Sequence, residues 1–426
     1  MKREDIDINP DVKATLWEME TTNKCLFITG KAGTGKSTVL RFFRDHTKKK
    51  IVVLAPTGIA ALNIGGQTIH SFFGFPPRPL QRKEIQVRRN RKIYQAIDMI
   101  IIDEVSMVRA DLMDSIDYFM RLNGRDRTLP FGGAQMVFFG DLFQLPPVIA
   151  SDEERMLFQT EFDSPYFFSA RVFDNLPINM IELREVYRQA NRYFIRLLDA
   201  VRTNQIDMDE FMELNERYQP DFDDDDFYVI LSARNAKVDE INKDRLAQLH
   251  TEEFSYIAQI SGAVNVLPAE TPLKLKMGAQ VMFLKNDQKK RYVNGSIGKV
   301  VELTDESIKV QILTPDGLLK NIDVERFEWE LHKHELNRSG EIETKSIGKF
   351  TQFPLRLAWA MTIHKSQGKT FDRVIIDMGK GAFEFGQTYV ALSRCTSLEG
   401  IVLKSQLKPQ DIMTDERIVQ FYEQHF

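Results

Sequence analysis

The chain has 426 residues, too many for one hydrophobic core, so two or more domains are expected. Its 43% hydrophobic and 28% charged residues make an ordinary soluble globular composition, and no apolar run approaches the roughly 18 residues that cross a membrane. A net charge of −4 decides nothing about nucleic acid, which needs only a local basic stripe, and two cysteines (Cys25, Cys395) in apolar settings exclude a disulfide framework or a zinc cluster.

The opening MKREDIDINP is charged and lacks a signal-peptide core, which predicts an intracellular protein. Residues 1–23 show helical spacing (Val12, Leu16, Met19) and lead into an apolar strand, Cys25 to Ile28. GKAGTGKST follows, with Gly30, four residues, then Gly35, Lys36 and Ser37. In a strand–turn–helix setting this spacing is a phosphate-binding loop. Glycines let the backbone wrap an anion, and the next helix turns its positive end toward it. Lys36 can reach the β- and γ-phosphates, and the Ser37 hydroxyl can hold magnesium. The helix over 37–46 ends in Lys48, Lys49 and Lys50, charges that suit a helix C-terminus.

Alternating strands and helices then argue for a parallel α/β sheet: IVVLA at 51–55, and DMIIIDE at 98–104, which ends in two carboxylates. Asp103 would hold the metal through water and Glu104 would activate the attacking water. MVFFGD, 136–141, is another strand, and Gln144 just beyond it could sense the γ-phosphate. Between these strands, residues 72–92 carry three Phe and three Pro ahead of a basic run. This is a small excursion, either a solvated loop or an apolar and basic prong for nucleic acid. From about Ile178 a second α/β domain begins, without a phosphate loop of its own. The acidic run Asp221 to Asp226 is read as a solvated loop. Residues 252–350 switch to period two with turn signals at Asn294-Gly295, Asp316-Gly317 and Ser339-Gly340, an all-β insertion. α/β text then resumes through YVALSRCTSLEGIVLKS.

Taken together, the blocks GKAGTGKST, APTGIAALNIGGQTIHSFFGF, IIDEVSM, PFGGAQMVFFGDLFQLPPV, VYRQ, WAMTIHKSQGKTFDRVIID and YVALSRCTSLEGI resemble, in order, those of the petite integration frequency (Pif) family of superfamily-1 DNA helicases, in its bacterial short form. They span roughly residues 25 to 403, nearly the whole chain. The resemblance implies an ATP-driven motor moving 5′ to 3′ on single-stranded DNA and unwinding duplex, with G-quadruplex and RNA–DNA hybrid substrates in the family's range and roles in DNA repair and telomere maintenance. It implies an α/β fold of two RecA-like parallel-sheet domains with ATP in their cleft: 1–63 with 92–177, and 178–251 with 349–426. Residues 64–91 would be the strand-separating wedge, and 252–348 a Src-homology-type β-barrel.

The resemblance also carries over residue roles. Gly30, Ala32, Gly33, Thr34, Gly35, Lys36, Ser37 and Thr38 would cradle the phosphates, Ser37 and Asp103 would serve Mg2+, and Gln144, Gly368, Arg188 and Arg394 would face the nucleotide. The two arginines match the family's arginine fingers; spreading charge in phosphoryl transfer makes a guanidinium supplied in cis worth ~10³ or more in rate. Thr57, His70, Phe72, Asn235, Thr362, His364 and Lys365 would contact DNA, hydroxyls and amides on phosphates, rings on bases. The family's adenine-reading glutamine upstream of the loop is missing: residues 1–29 contain no Gln, and Asn9 is the amide in its place. Expected partners are single-stranded DNA and its junctions with duplex, with no membrane. The protein is expected to be a monomer that can dimerise on DNA, in a bacterial cytoplasm at the nucleoid. Two other readings remain: another phosphate-loop ATPase, such as a loader or remodeller, or a nucleotide-dependent DNA-binding protein without unwinding.

Overall fold

The computed structural model describes residues 8–149, 151–222, 227–287, 289–314 and 317–425. Most of the acidic run and Asp316 lie outside them. The chain forms two compact units. The first takes the chain up to Tyr187, residues His332–Ile347 and everything from Asp415 onward; the second takes Arg188–Leu331 and Gly348–Thr414.

In the first unit, short runs of β-branched and aromatic residues build a six-stranded sheet. Its order is Gln67–Thr68, Ile51–Ala55, Met99–Ile102, Gln135–Phe139, Cys25–Thr29, Ile178–Glu182, and every pair is parallel. The central strands are buried on both faces, as their unbroken apolar text demands. One face packs on Val39, Leu40 and Phe43 of helix Lys36–His46. The other packs on Met113, Ile116 and Phe119 of helix Ala110–Asn123. Each such fully buried side chain contributes roughly 1.5–3 kcal/mol. Because the strands are parallel, their C-terminal ends share one edge, and the loops there carry the chemistry.

The second unit holds a four-stranded parallel sheet, Ala360–Thr362, Val229–Ser232, Val374–Asp377, Ile401–Leu403. The expected β insertion is present as an antiparallel sheet of Leu319–Val324, Ile308–Leu313, Ile297–Leu303, Gln280–Phe283 and Leu355–Leu357. Alternating burial along Ile308–Leu313 matches the period-two text. A further sheet joins Phe327–Leu336, Ile342–Gln352 and Gln259–Gly262.

Three segments differ from the reading of the sequence. Ile178–Glu182, expected to open the second domain, pairs with Cys25–Thr29 and closes the first sheet. The excursion at 64–91 sends its apolar side chains inward: Phe73, Phe75 and Ile85 join the first unit's core, and Arg88 Nη2 donates to Phe73 O at 2.7 Å. Lys49 is no solvated helix-end charge. Its ammonium donates to Met19 O, Thr22 O and Gln135 Oε1 at 2.6–2.7 Å. Among the described residues no helix is long and apolar enough to cross a membrane.

Candidate nucleotide site and nucleic-acid interface

Strand Cys25–Thr29 ends at Gly30, which turns the chain at φ 156°. A Cβ on Gly30 would lie 2.5 Å from Leu183 O, so no other residue fits there. Gly33 and Gly35 are also left-handed, at φ 89° and 81°, and helix Lys36–His46 starts directly behind them. Ala32 and Thr34 are buried, and Thr34 Oγ1 donates to Lys31 O at 3.0 Å, which fixes the loop from within. The Lys36 ammonium sits inside the loop on the carbonyls of Gly30 (2.6 Å) and Lys31 (3.1 Å). Ser37 and Thr38 occupy the first turn of the helix, Ser37 exposed.

Strands Met99–Ile102 and Gln135–Phe139 lie next in the same sheet, and their C-terminal ends bring Asp103, Glu104 and Gln144 to the loop's edge. Asp103 is 6% exposed, and its carboxyl is pushed up to about 7, first by burial and then by the neighbouring Glu104 carboxylate, with Lys36 and Arg41 pulling the other way. Such a pair suits a divalent cation, which would relieve the crowding of negative charge. Glu104 has a left-handed backbone (φ 51°, ψ 45°), a conformation that costs a non-glycine residue about 1–3 kcal/mol and collects at functional sites. Gln144 is buried, and its amide donates to Asp141 Oδ2 at 3.3 Å.

Two residues of the first unit that the sequence reading passed over belong here. Tyr187 is 48% exposed, its N–H donates to Gly33 O at 2.9 Å, and its ring lies 3.9 Å from where a Gly35 Cβ would be. Its position beside Arg188 in VYRQ was the available signal. Tyr422, far along the chain, hydrogen-bonds the Thr29 hydroxyl and packs on Phe143 at 4.9 Å; nothing in its local sequence marks it. Asn9, the amide expected near the base, caps helix Pro10–Thr21 by accepting from Val12 N, and its Nδ2 donates to Glu185 and Tyr187.

In the second unit the two arginines share neighbours. Arg188 Nε donates to Thr370 Oγ1 at 2.9 Å and Nη1 to Ser393 O at 3.2 Å. Arg394 is 1% exposed, and it donates to Val390 O and to the Ser393 hydroxyl at 2.9 and 2.7 Å. Gly368 stands close in sequence, left-handed at φ 73° with open space where a Cβ would go.

The DNA candidates divide by unit. In the first, Thr57 is exposed and caps helix Gly58–Ile64. His70 is partly exposed, and burial and then Arg109 hold its pKa below the ordinary histidine value. Phe72 is a correction: it is 7% exposed, with its ring against Phe73, Tyr94 and His334, so it offers no face to a base. In the second unit, Asn235, Thr362, His364 and Lys365 all follow C-terminal ends of neighbouring parallel strands. Asn235 and Lys365 are exposed, whereas Thr362 is buried and caps helix Ile363–Ser366. His364 Nε2 lies 3.0 Å from Glu384 Oε2. Glu384 belongs to the loop GKGAFEFG, which also exposes Phe383 (52%) and Phe385 (38%). Two phenylalanines between glycines were the missed sign of an exposed aromatic loop.

A phosphate loop, a carboxylate pair at the end of the next strand but one in the same parallel sheet and a second parallel-sheet unit define a nucleotide-hydrolysing motor. The family model described as PIF1-like helicase matches residues 12–211, and that for the DNA helicase Pif1 2B domain matches residues 263–303. An ATP-dependent DNA helicase Pif1 of Bdellovibrio bacteriovorus is 31% identical over 99% of this chain and 92% of its own length. The PIF1 helicase of Emericella nidulans is 33% identical over 93% of the chain, which spans only 60% of that longer protein. The crystal structure of Bacteroides sp. Pif1 in complex with ADP-AlF4 has a TM-score of 0.91 at 37% identity, covering 99% of this chain and 97% of that one. Bacteroides Pif1 bound to ssDNA gives 0.70 at 38% identity, with the same coverage. The chain belongs to the Pif1-like helicase family.

Proposed function

We propose that this ATP-dependent DNA helicase translocates 5′ to 3′ on single-stranded DNA and unwinds the duplex it meets, and that its residues divide the work as follows. The backbone of Gly30 to Gly35 and the Lys36 ammonium bind the phosphates of ATP, Lys36 leaving the carbonyls it now holds. Ser37 and, through water, Asp103 would hold Mg2+, which when bound would neutralise charge on the phosphates. Glu104 takes the proton of the attacking water, and Gln144 positions that water and the γ-phosphate. Arg188 and Arg394 stabilise the charge that develops in transfer. Tyr187 offers its ring to the base; without the family's glutamine, selection for adenine is weak.

On DNA, Thr57, Asn235 and Lys365 hold backbone phosphates, the buried Thr362 capping the helix that carries Lys365, and His70, His364, Phe383 and Phe385 face bases. Phosphate contacts carry no sequence information, so targeting follows substrate shape: single strands, forks, and by family habit G-quadruplexes and RNA–DNA hybrids. Such work places the protein inside the cell, at the nucleoid in a bacterium.

The observation that carries this reading is the meeting of Lys36, Asp103, Glu104 and Gln144 on one edge of three neighbouring parallel strands. The test is the rate of ATP hydrolysis with and without oligo-dT, Mg2+ present throughout. A large stimulation by DNA is expected, and Lys36→Ala should abolish both hydrolysis and strand separation. Equal rates with and without DNA, or normal unwinding by Lys36→Ala, would overturn it.

A further inference from the structure

Parallel pairing in the second unit puts four strand ends on one edge, in the order Thr362, Ser232, Asp377, Leu403. The first two of these ends carry the DNA candidates Thr362–Lys365 and Asn235. Of the loops after the other two, the preceding reading uses Phe383 and Phe385 and leaves out the lysines, yet between these loops lies a cavity of about 240 Å3. It is lined by Gly379, Lys380 and Gly381 after one strand and by Lys404, Ser405, Gln406 and Lys408 after the other, with Tyr218 and Asp411 completing the wall.

Among the described residues the lining is mostly basic, and the acid in it, Asp411, is already engaged. Asp411 is 3% exposed, and its two oxygens accept from the N–H groups of Ala382 (3.0 Å) and Lys408 (2.7 Å). Lys404 is fastened by Pro220 O and Phe222 O at 3.1 and 2.7 Å, which fixes a positive charge in the wall. Lys380 and Lys408 are exposed at the mouth. The loop is tightly shaped rather than slack. Gly379 and Gly381 are left-handed (φ 61° and 118°), Gly379 N donates to Asp377 Oδ1, and a Cβ on Gly381 would strike Asp411 Oδ1 at 2.5 Å. The far end of the same loop holds Glu384, 3.0 Å from His364. Three lysines around a small hollow, one loop away from a DNA contact, match the chemistry of a phosphodiester: a compact anion with no sequence content.

We propose that this cavity is a subsite for one backbone phosphate of the bound single strand, beyond the Thr362–Lys365 block and reached over the Phe383–Phe385 loop. The inference rests on the DNA-track reading above, and it adds a contact made only by strands long enough to pass that loop. Lys380 and Lys408 hold the phosphate, and the fixed Lys404 supplies the field beneath it.

The experiment measures binding of the full chain to fluorescent oligo-dT of graded length over a range of salt. Lys380→Gln/Lys408→Gln should leave the shortest strands that bind unaffected and weaken long strands several-fold. The slope of log affinity against log salt should become shallower by about 0.7 for long strands, the value for one phosphate on single-stranded nucleic acid. An unchanged slope and unchanged affinity for long strands would overturn the subsite, as would an equal loss at every length. Lys365→Ala is the control for the underlying reading and should weaken strands of every length. If it does so while the double variant does not, the subsite alone falls; if it binds as the wild type does, the DNA track falls with it.

Discussion

Replacing either arginine candidate by alanine should stop ATP turnover, but only one of the two changes should also loosen the fold. Arg394 is 1% exposed, and its guanidinium makes two short hydrogen bonds, to Val390 O at 2.9 Å and Ser393 Oγ at 2.7 Å. Two longer contacts reach Ser366 O and Lys369 O at 3.5 and 3.4 Å. Hydrogen bonds from a charged donor contribute about 1.5–3 kcal/mol each, and the abandoned buried acceptors add to the loss. Arg394→Ala should therefore cost roughly 3–5 kcal/mol. For a unit of this size each kcal/mol lowers Tm by about 2–4 °C, so a fall of roughly 10 °C is expected. Arg188 is partly exposed with bonds at 2.9 and 3.2 Å, and water can replace both, so Arg188→Ala should cost less than about 1 kcal/mol. Both variants should lose ~10³-fold in kcat. Thermal unfolding by circular dichroism and DNA-stimulated ATPase below the lower Tm test the pair. An Arg394→Ala variant that melts with the wild type would refute the packing argument. An Arg188→Ala variant with wild-type kcat would refute the catalytic one.

Two further outcomes follow from geometry away from the nucleotide. A Cβ on Gly132 would lie 2.3 Å from Met120 O on a backbone at φ 64°, so Gly132→Ala should destabilise the first unit by about 3 kcal/mol; melting within about 1 °C of the wild type would contradict this. His334 is buried against Val53 O and Gln67, and burial holds its pKa below the ordinary 6.5. The unfolded chain then takes up a proton near pH 6.5 that the folded chain refuses, so this residue's contribution falls as pH drops through that region. Tm should drop more between about pH 7.5 and about pH 5.5 in the wild type than in His334→Gln, and equal drops would dismiss the assignment.

The sequence made local chemistry legible and long-range pairing illegible. Gly30, Gly35, Lys36 and the Asp103-Glu104 pair could be read because each motif fits within one strand and its following turn. The β insertion could be read because alternation and turn residues coincide. Ile178–Glu182 could not be placed, since a half-polar strand five residues long fits the edge of either parallel sheet equally well. Phe72 looked available to DNA because a small helix hides its orientation; its ring packs on Phe73 and Tyr94 instead. The PFGG block was among the most discriminating text, yet its glycines serve packing. Gly132 lets the turn lie against the end of helix Ala110–Asn123, where Gly124 Cα is 3.2 Å from the position a Gly132 Cβ would take.

Helix Glu416–Glu423 gives the chain a temporal property. Its Phe421 stacks on Phe168 at 4.2 Å and its Tyr422 meets Thr29, 393 positions earlier, directly beneath the phosphate loop. On the ribosome, Thr29 and Gly30 emerge early, while their supporting tyrosine is made only after the whole second unit. A nascent chain that stalls in between carries the motif without its floor. The first unit's packing is thus completed late in translation, after the second unit has been made.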